Sequence, residues 1–172
     1  MREVFCVNDS VFYGVHGVCV ITDITRREFG GKTQEYYVLT PAFSKHSTIF
    51  VPTDSPGIEK RMRKTAAKKE ITELLDNMKD VEPEWSEHAS ERKEKYAEIL
   101  KKGSLKDICG MIKALYDYKD RLLSENRKKM YASDEKQLAE AEKVLFEEAA
   151  FALKTDLKTA EDKIKKAIHK SK

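Results

Sequence analysis

The sequence predicts an α+β protein: a small N-terminal β-barrel followed by an all-α helical bundle. Three observations carry this prediction. Residues 3 to 52 hold short β-branched and aromatic runs separated by turn signals. Pro52 to Gly57, with two prolines and a glycine, ends that region. Beyond it the apolar spacing changes to the 3.6-residue period of helices. The predicted units are residues 1–56 and 57–172.

Val4, Phe5 and Val7, then Val11-Phe12-Tyr13, open the strand region. A long β-branched stretch follows from Val18 to Thr25, and Tyr36 to Leu39 and Ile49 to Val51 complete it. Asn8-Asp9, Gly14 and Gly17, Gly30-Gly31 and Ser44-Lys45-His46 are the turn signals. Gly30-Gly31 predicts a tight hairpin. Four or five strands this short make a bent barrel too small to enclose a ligand, so its surface carries any function.

In the second unit Ala67, Ile71, Leu74 or Leu75, and Met78 form one helical stripe. Ala89, Tyr96, Ile99 and Leu100 form the next, which Gly103 terminates. Ser104-Leu105-Lys106-Asp107 starts a helix in the manner of a capping box. Its stripe is the clearest in the chain: Leu105, Ile108, Cys109, Ile112, Leu115, Tyr116, Leu122 and Leu123. Ser133 is placed to cap a helix carrying Leu138, Ala141, Leu145 and Leu153. Leu157, Ala160, Ile164 and Ile168 mark a last, highly charged helix. Such amphipathic helices bury a shared core as a bundle.

The chain has 172 residues, 37% charged and 40% hydrophobic, a balance that is globular and well solvated. No apolar run approaches the roughly 18 residues of a spanning helix. Met1-Arg2-Glu3-Val4 has no signal-peptide core, so a cytoplasmic location is expected. Net charge is only +3, so any nucleic-acid contact comes from local clusters. Cys6, Cys19 and Cys109 include no C-x-x-C and read as a reduced, partly buried set.

The motifs of hydrolases, zinc proteases and phosphate-binding loops are absent, and the four histidines are scattered over both halves. An enzyme is not expected, nor a metal or cofactor. His16, between two turn glycines, reads as structural, holding its turn through a ring hydrogen bond. Acidic residues such as Glu91 and Glu94 sit among lysines on predicted helices, the pattern of a solvated face.

Trp85 stands apart. The only tryptophan, it lies in Val81-Glu82-Pro83-Glu84-Trp85-Ser86, a linker-like segment where Pro83 disfavours helix. Either it folds back onto the bundle, or it is an exposed apolar wedge or anchor for protein or DNA. Arg92, Lys93 and Lys95 follow it, and a basic run with Lys60, Arg61, Arg63, Lys64, Lys68 and Lys69 precedes it. Basic residues flanking a lone wedge suit minor-groove binding, where cations meet phosphates while an apolar group pries at a base step.

The order of these features resembles a known family. Phe5-x-Val7-x-Asp9-x-Val11-x-Tyr13-x-x-His16-Gly17, then Tyr36-Tyr37-Val38-Leu39, then Ile49-Phe50-Val51-Pro52 look like the N-terminal module of CarD-like (CdnL) bacterial transcription regulators. The transcription-repair coupling factor shares that module. Trp85, Arg92, Leu100-x-x-Gly103, and the helices from Ile108 to Leu123 and Leu138 to Leu153 resemble the family's second half. The resemblance implies a Tudor-like barrel that binds the RNA polymerase β subunit. It implies a helical domain that contacts the upstream edge of the transcription bubble, where a tryptophan wedges into the minor groove and stabilises the open complex. Trp85 matches that tryptophan, and Arg27 a basic polymerase-contacting position.

The sequence departs from the family in three places. Gly14 stands where a proline usually follows the tyrosine. Phe50 stands where studied members carry a polymerase-contacting arginine, so that contact is apolar or main-chain here. Trp85 to Gly103 is about one helical turn longer than in some members.

The expected sites are thus Trp85, Arg92, Lys93, Lys95, Arg61 and Lys64 for DNA, and Arg27 with Thr48, Ile49, Phe50 and Val51 for polymerase, the latter as a strand edge that adds to a partner sheet. Glu87 and Glu91, unfavourable near phosphate, are expected to face away. The expected state is a monomer associated with polymerase at the nucleoid. Two other readings share these features: a protein-interaction module without DNA contact, and an RNA- or ribosome-associated factor.

Overall fold

The computed structural model describes residues 5–44, 46–126 and 129–172; Val4 and Lys45, part of the strand and turn readings, lie outside them. Five antiparallel strands come first: β1 (Ser10–Tyr13), β2 (Val18–Phe29), β3 (Lys32–Pro41), β4 (Ile49–Pro52) and β5 (Met62–Lys64), in spatial order β4-β3-β2-β1-β5. Gly30 and Gly31, at φ 61° and 77°, close the β2–β3 hairpin between the paired Phe29 and Lys32. Two consecutive positive φ values are what a type I′ turn demands. The register shifts between Ile21 and Asp23, a bulge that bends the long β2 strand. Inward residues of each strand, including Val11, Cys19, Ile21, Leu39, Val51 and Met62, share one small core with Phe5 and Ile58.

The expected barrel is an open, bent sheet, whose terminal strands β4 and β5 do not pair with each other. β5 belongs to the sheet as well. The Pro52–Gly57 segment is a turn inside the sheet unit, because Met62 to Lys64 return to pair with β1 and bury Met62 in the sheet core.

Five helices follow: α1 (Lys68–Asp76), α2 (Ala89–Lys102), α3 (Leu105–Ser124), α4 (Ala132–Leu153) and α5 (Leu157–Lys170). Gly103 ends α2 at φ 69°, and the Ser104 hydroxyl accepts the Asp107 N–H at 3.4 Å to start α3. α4 begins at Ala132, so Ser133 lies inside its first turn and caps nothing. The bundle core gathers the stripes of all five helices.

Phe12 belongs to that helical core although it lies on β1. Its ring packs so close to Gly103 that a Cβ there would sit 2.5 Å from it. The Arg63 guanidinium lies over the same ring at 4.4 Å. It donates to the Gly103 carbonyl (3.0 and 2.5 Å) and to both carboxylate oxygens of Glu148 (2.7 and 2.8 Å). Glu148 is fully buried and also accepts the Ala66 N–H at 2.8 Å. Sheet and bundle are therefore joined through a packed, charged joint.

Beside that joint Glu147 is 8% exposed and faces Gly17, where a Cβ would meet its carboxylate at 2.7 Å. Burial raises its pKa, partly opposed by Lys143. A carboxyl whose folded pKa is raised contributes its stability at low pH and loses it as pH rises through that pKa. Glu147→Gln is accordingly expected to raise the melting temperature at pH 8 by about 2–4 °C, the shift of roughly 1 kcal/mol in a chain of this size. The gain should vanish at pH 4. Paired thermal melts at the two pH values measure it, and an equal gain at both would show that ionisation is not its source.

Candidate nucleic-acid and partner interfaces

The segment from Asn77 to His88 contains a single 3₁₀ turn, Met78–Asp80, and is otherwise irregular, so its backbone polar groups need partners from outside. The bundle supplies them. The buried Lys113 ammonium donates to the carbonyls of Met78 (3.0 Å) and Val81 (2.8 Å). Glu84 N–H donates to the Gly110 carbonyl at 3.0 Å, and Tyr96 hydroxyl donates to the Glu84 carbonyl at 2.7 Å. Gly110 lacks a side chain for a visible reason: a Cβ there would lie 2.5 Å from the Glu82 carbonyl oxygen. The segment is thus laid against α3 and fastened ahead of Trp85, and Arg92 holds the Ser86 and Glu87 carbonyls behind it.

Trp85 itself is half-buried. Its ring meets Tyr118 at a centroid distance of 4.9 Å. Guanidinium carbons of Arg92 and Arg121 lie 4.4 and 5.3 Å from its centroid. Its indole N–H donates to the Glu87 carboxylate at 2.9 Å. One side of the indole rests on the bundle, and the rest of it is accessible.

Arg92 corrects the sequence reading. It is 1% exposed, although expected among the phosphate contacts. Its guanidinium grips Asp134 with two bonds (3.2 and 2.6 Å) and donates to the carbonyls of Ser86 (2.9 Å) and Glu87 (3.1 Å). Burial works against its charge, but the hydrogen bond and charge of Asp134 outweigh it, and its pKa is raised. Its donors are spent inside the protein, on Asp134 and on the segment that carries Trp85.

Lys93 is exposed, and Lys95 is paired with Glu84 at 2.5 Å. Arg61 and Lys64 lie on the sheet side: Arg61 donates to the Ser55 hydroxyl at 2.7 Å and Lys64 is exposed on β5. No contact of Trp85 involves either of them among the described residues. Glu87 and Glu91 do not face away, since one binds the indole N–H and the other accepts from the Ser86 hydroxyl at 2.5 Å.

Tyr118, Arg121 and Lys113 were not anticipated. Arg121 is exposed on α3 beside the indole, and among the described residues no carboxylate pairs with it. The glycine at position 110 inside an apolar stripe was the one available signal, since a mid-helix glycine marks close backbone approach.

On the other unit the structure brings Arg27 and Phe50 together, with the guanidinium carbon 4.7 Å from the ring centroid. Phe29, Tyr36 and Phe50 form an aromatic cluster around them, at centroid distances of 5.2 to 6.4 Å. Phe29 is 49% exposed. β4 is an edge strand, so the expected strand edge exists. Its residues point differently, however: Val51 is buried in the sheet core, Ile49 is half-buried against it, Phe50 belongs to the opposite face, and Thr48 precedes the strand. Val51 can therefore offer a partner only its main chain, and Ile49 its main chain with part of its side chain.

His16 lies parallel to Tyr13 at 5.6 Å, so it braces its turn by ring stacking instead of the expected hydrogen bond. Burial pushes the Cys19 and Cys109 thiols up to about 12, which keeps them protonated and unreactive. Among the described residues no group of three or more His, Cys, Asp or Glu could hold a metal, and no helix is long and apolar enough to cross a membrane.

Comparison with known protein families gives two matches. Residues 5–66 match the model of the CarD-like/TRCF RID domain, and residues 70–165 match that of the CarD C-terminal domain. No curated protein matches the chain.

Proposed function

The chain belongs to the CarD-like family of RNA polymerase-interacting transcription regulators, and from that premise we propose that its sheet binds the polymerase β subunit while its bundle contacts promoter DNA at the upstream bubble edge and stabilises the open complex. It acts by binding, without catalysis, as a monomer in the cytoplasm. The observation that carries the DNA half is the posture of Trp85: a half-exposed indole on a fastened segment, flanked by Arg121. A rigid aromatic group loses little freedom on binding and can stack on an unstacked base step. At a bubble edge that step is already opening, so the wedge prefers the melted state, and only such a preference shifts the equilibrium. Lys93, Lys95 and Arg121 supply phosphate contacts, while Arg92 acts through Trp85. Arg61 and Lys64, on the sheet side, are left with no part in the wedge itself.

The polymerase contact rests on the β4 edge and on the Arg27–Phe50 pair, with the aromatic cluster replacing a lone arginine. Main-chain pairing at an edge gives affinity, and the exposed face gives specificity.

Trp85→Ala is expected to shorten open-complex lifetime about tenfold, the middle of the range for stacking worth roughly 1–3 kcal/mol. Polymerase binding should be unchanged, and a half-buried ring should cost about 1–2 kcal/mol of stability, below the loss for a core tryptophan. Phe50→Glu should give the mirror result, lost polymerase binding with normal melting. Promoter-complex lifetimes and a polymerase pull-down, run on both variants, test the division. An unchanged lifetime for Trp85→Ala would sink the DNA assignment.

A further inference from the structure

We infer that the bundle carries a second DNA-backbone surface, a row of lysines on α5 facing the Met78–Asp80 turn. The inference rests on the reading of Trp85 as a DNA contact and extends it to residues outside the wedge. The observation is an open cleft of about 490 Å³ between α5 and the start of the tryptophan segment. Lys163, Lys166 and Lys170 line it from α5, and Lys79 from across the turn, over an apolar floor that includes Met78. Four cations meet one carboxylate, Asp76, which is not within ion-pairing distance of any of them.

The rest of α5 is arranged differently. Lys158 pairs with Asp162 at 3.1 Å, Lys165 with Glu161 at 2.5 Å, and Lys172 with Asp117 and Asp120 of α3 at 2.9 and 2.5 Å. Among the described residues, the lysines on the other faces are paired with carboxylates and those on this face are not. A helix dipole accounts for a lysine in the last turn such as Lys170, but not for Lys163 in the second turn or Lys79 on another segment. Like charges left together repel one another until an anion arrives.

The shape favours a polyanion strand over a small anion. Lys163, Lys166 and Lys170 follow one another at i, i+3 and i+7, a line of about 10 Å at 1.5 Å per residue. A small phosphoanion is held by convergent donors, whereas a phosphodiester chain is tracked by a line of them. The position also suits one DNA molecule. Lys79 and Trp85 share the segment fastened by Lys113. Asp117, which holds Lys172 at the end of α5, lines the cleft of about 210 Å³ that Trp85 shares with Arg121. The lysine row and the wedge are thus linked twice, through the Lys172–Asp117 pair and through the segment that carries both Lys79 and Trp85.

The test measures binding of the full chain to a DNA duplex between 50 and 200 mM salt, by fluorescence anisotropy. Each phosphate contact contributes about 0.9 to the slope of log K against log salt. The Lys163→Gln/Lys166→Gln/Lys170→Gln variant should lose about 2.7 from that slope, so that wild-type affinity falls about 40-fold more than the variant's over this range. Lys79→Gln, on a separate segment, should lose about 0.9. Trp85→Ala should leave the slope unchanged, because an indole carries no charge. If wild type binds and both lysine variants keep its slope, the inference is overturned while the wedge reading stands. If the variants keep the DNA slope but lose binding of inorganic tripolyphosphate, the cleft is a small-anion site and the inference is likewise overturned. If wild type binds no duplex and Trp85→Ala leaves open-complex lifetime unchanged, the DNA reading itself falls and takes this surface with it.

Discussion

Arg92→Ala is expected to destabilise the protein by about 3–5 kcal/mol, the usual loss when one partner of a buried ion pair is removed. Asp134 would be left fully buried with its charge uncompensated, and the carbonyls of Ser86 and Glu87 would lose their donor. Arg92→Lys should recover little, because an ammonium cannot span a carboxylate and two carbonyls at once. The informative variant is Arg92→Met with Asp134→Leu. An apolar replacement of a whole buried pair is often neutral or stabilising, so chemical unfolding should return close to the wild-type midpoint. The clamp on Ser86 and Glu87 would still be missing, however, and open-complex lifetime should stay near the Trp85→Ala value. Recovery of both properties together would mean that Arg92 serves the fold alone.

Arg63→Ala is the second large effect, at about 3 kcal/mol, because Glu148 would be stranded without its cation between sheet and bundle. Arg63 keeps partial exposure, which lets water replace some of its bonds and places the loss at the lower end of that range. The loss falls on the joint, so calorimetry should resolve two transitions where wild type shows one. A single transition at lower temperature would show that Phe12 alone couples the halves.

The fold was legible wherever a period or a special backbone residue announced it. The α3 stripe, the Gly30-Gly31 hairpin, the Gly103 stop and the Ser104 cap all follow from local chemistry, and all are present. β5 was not legible: a three-residue strand inside a basic run offers one inward side chain, Met62, too few for any alternation to show. The candidate sites divide in the same way. Trp85 stood out as an unplaced indole, and Arg27 with Phe50 came from resemblance to a family. Arg63 and Arg92 read as members of basic runs flanking Trp85, because the carboxylates that pair with them lie 85 and 42 residues further along the chain. Local sequence cannot show a charge whose partner arrives only with the tertiary fold. Tyr118 and Arg121 were hidden for a related reason, since they lie on the half-exposed flank of a helix whose stripe pointed only to the core.

If the bundle contacts promoter DNA as proposed, the joint built from Phe12, Gly103, Arg63 and Glu148 also determines how tightly it must hold that DNA by itself. Two modules on a short flexible tether present one another to their targets at an effective concentration of about millimolar. Here no tether has to be ordered, because the orientation of one module relative to the other was fixed when the chain folded. Once β4 is anchored to a large partner, the indole is confined to a single small volume. A non-specific dissociation constant of roughly 10⁻⁴ to 10⁻⁶ M then suffices for near-complete occupancy. A contact that weak would release as soon as polymerase leaves the promoter.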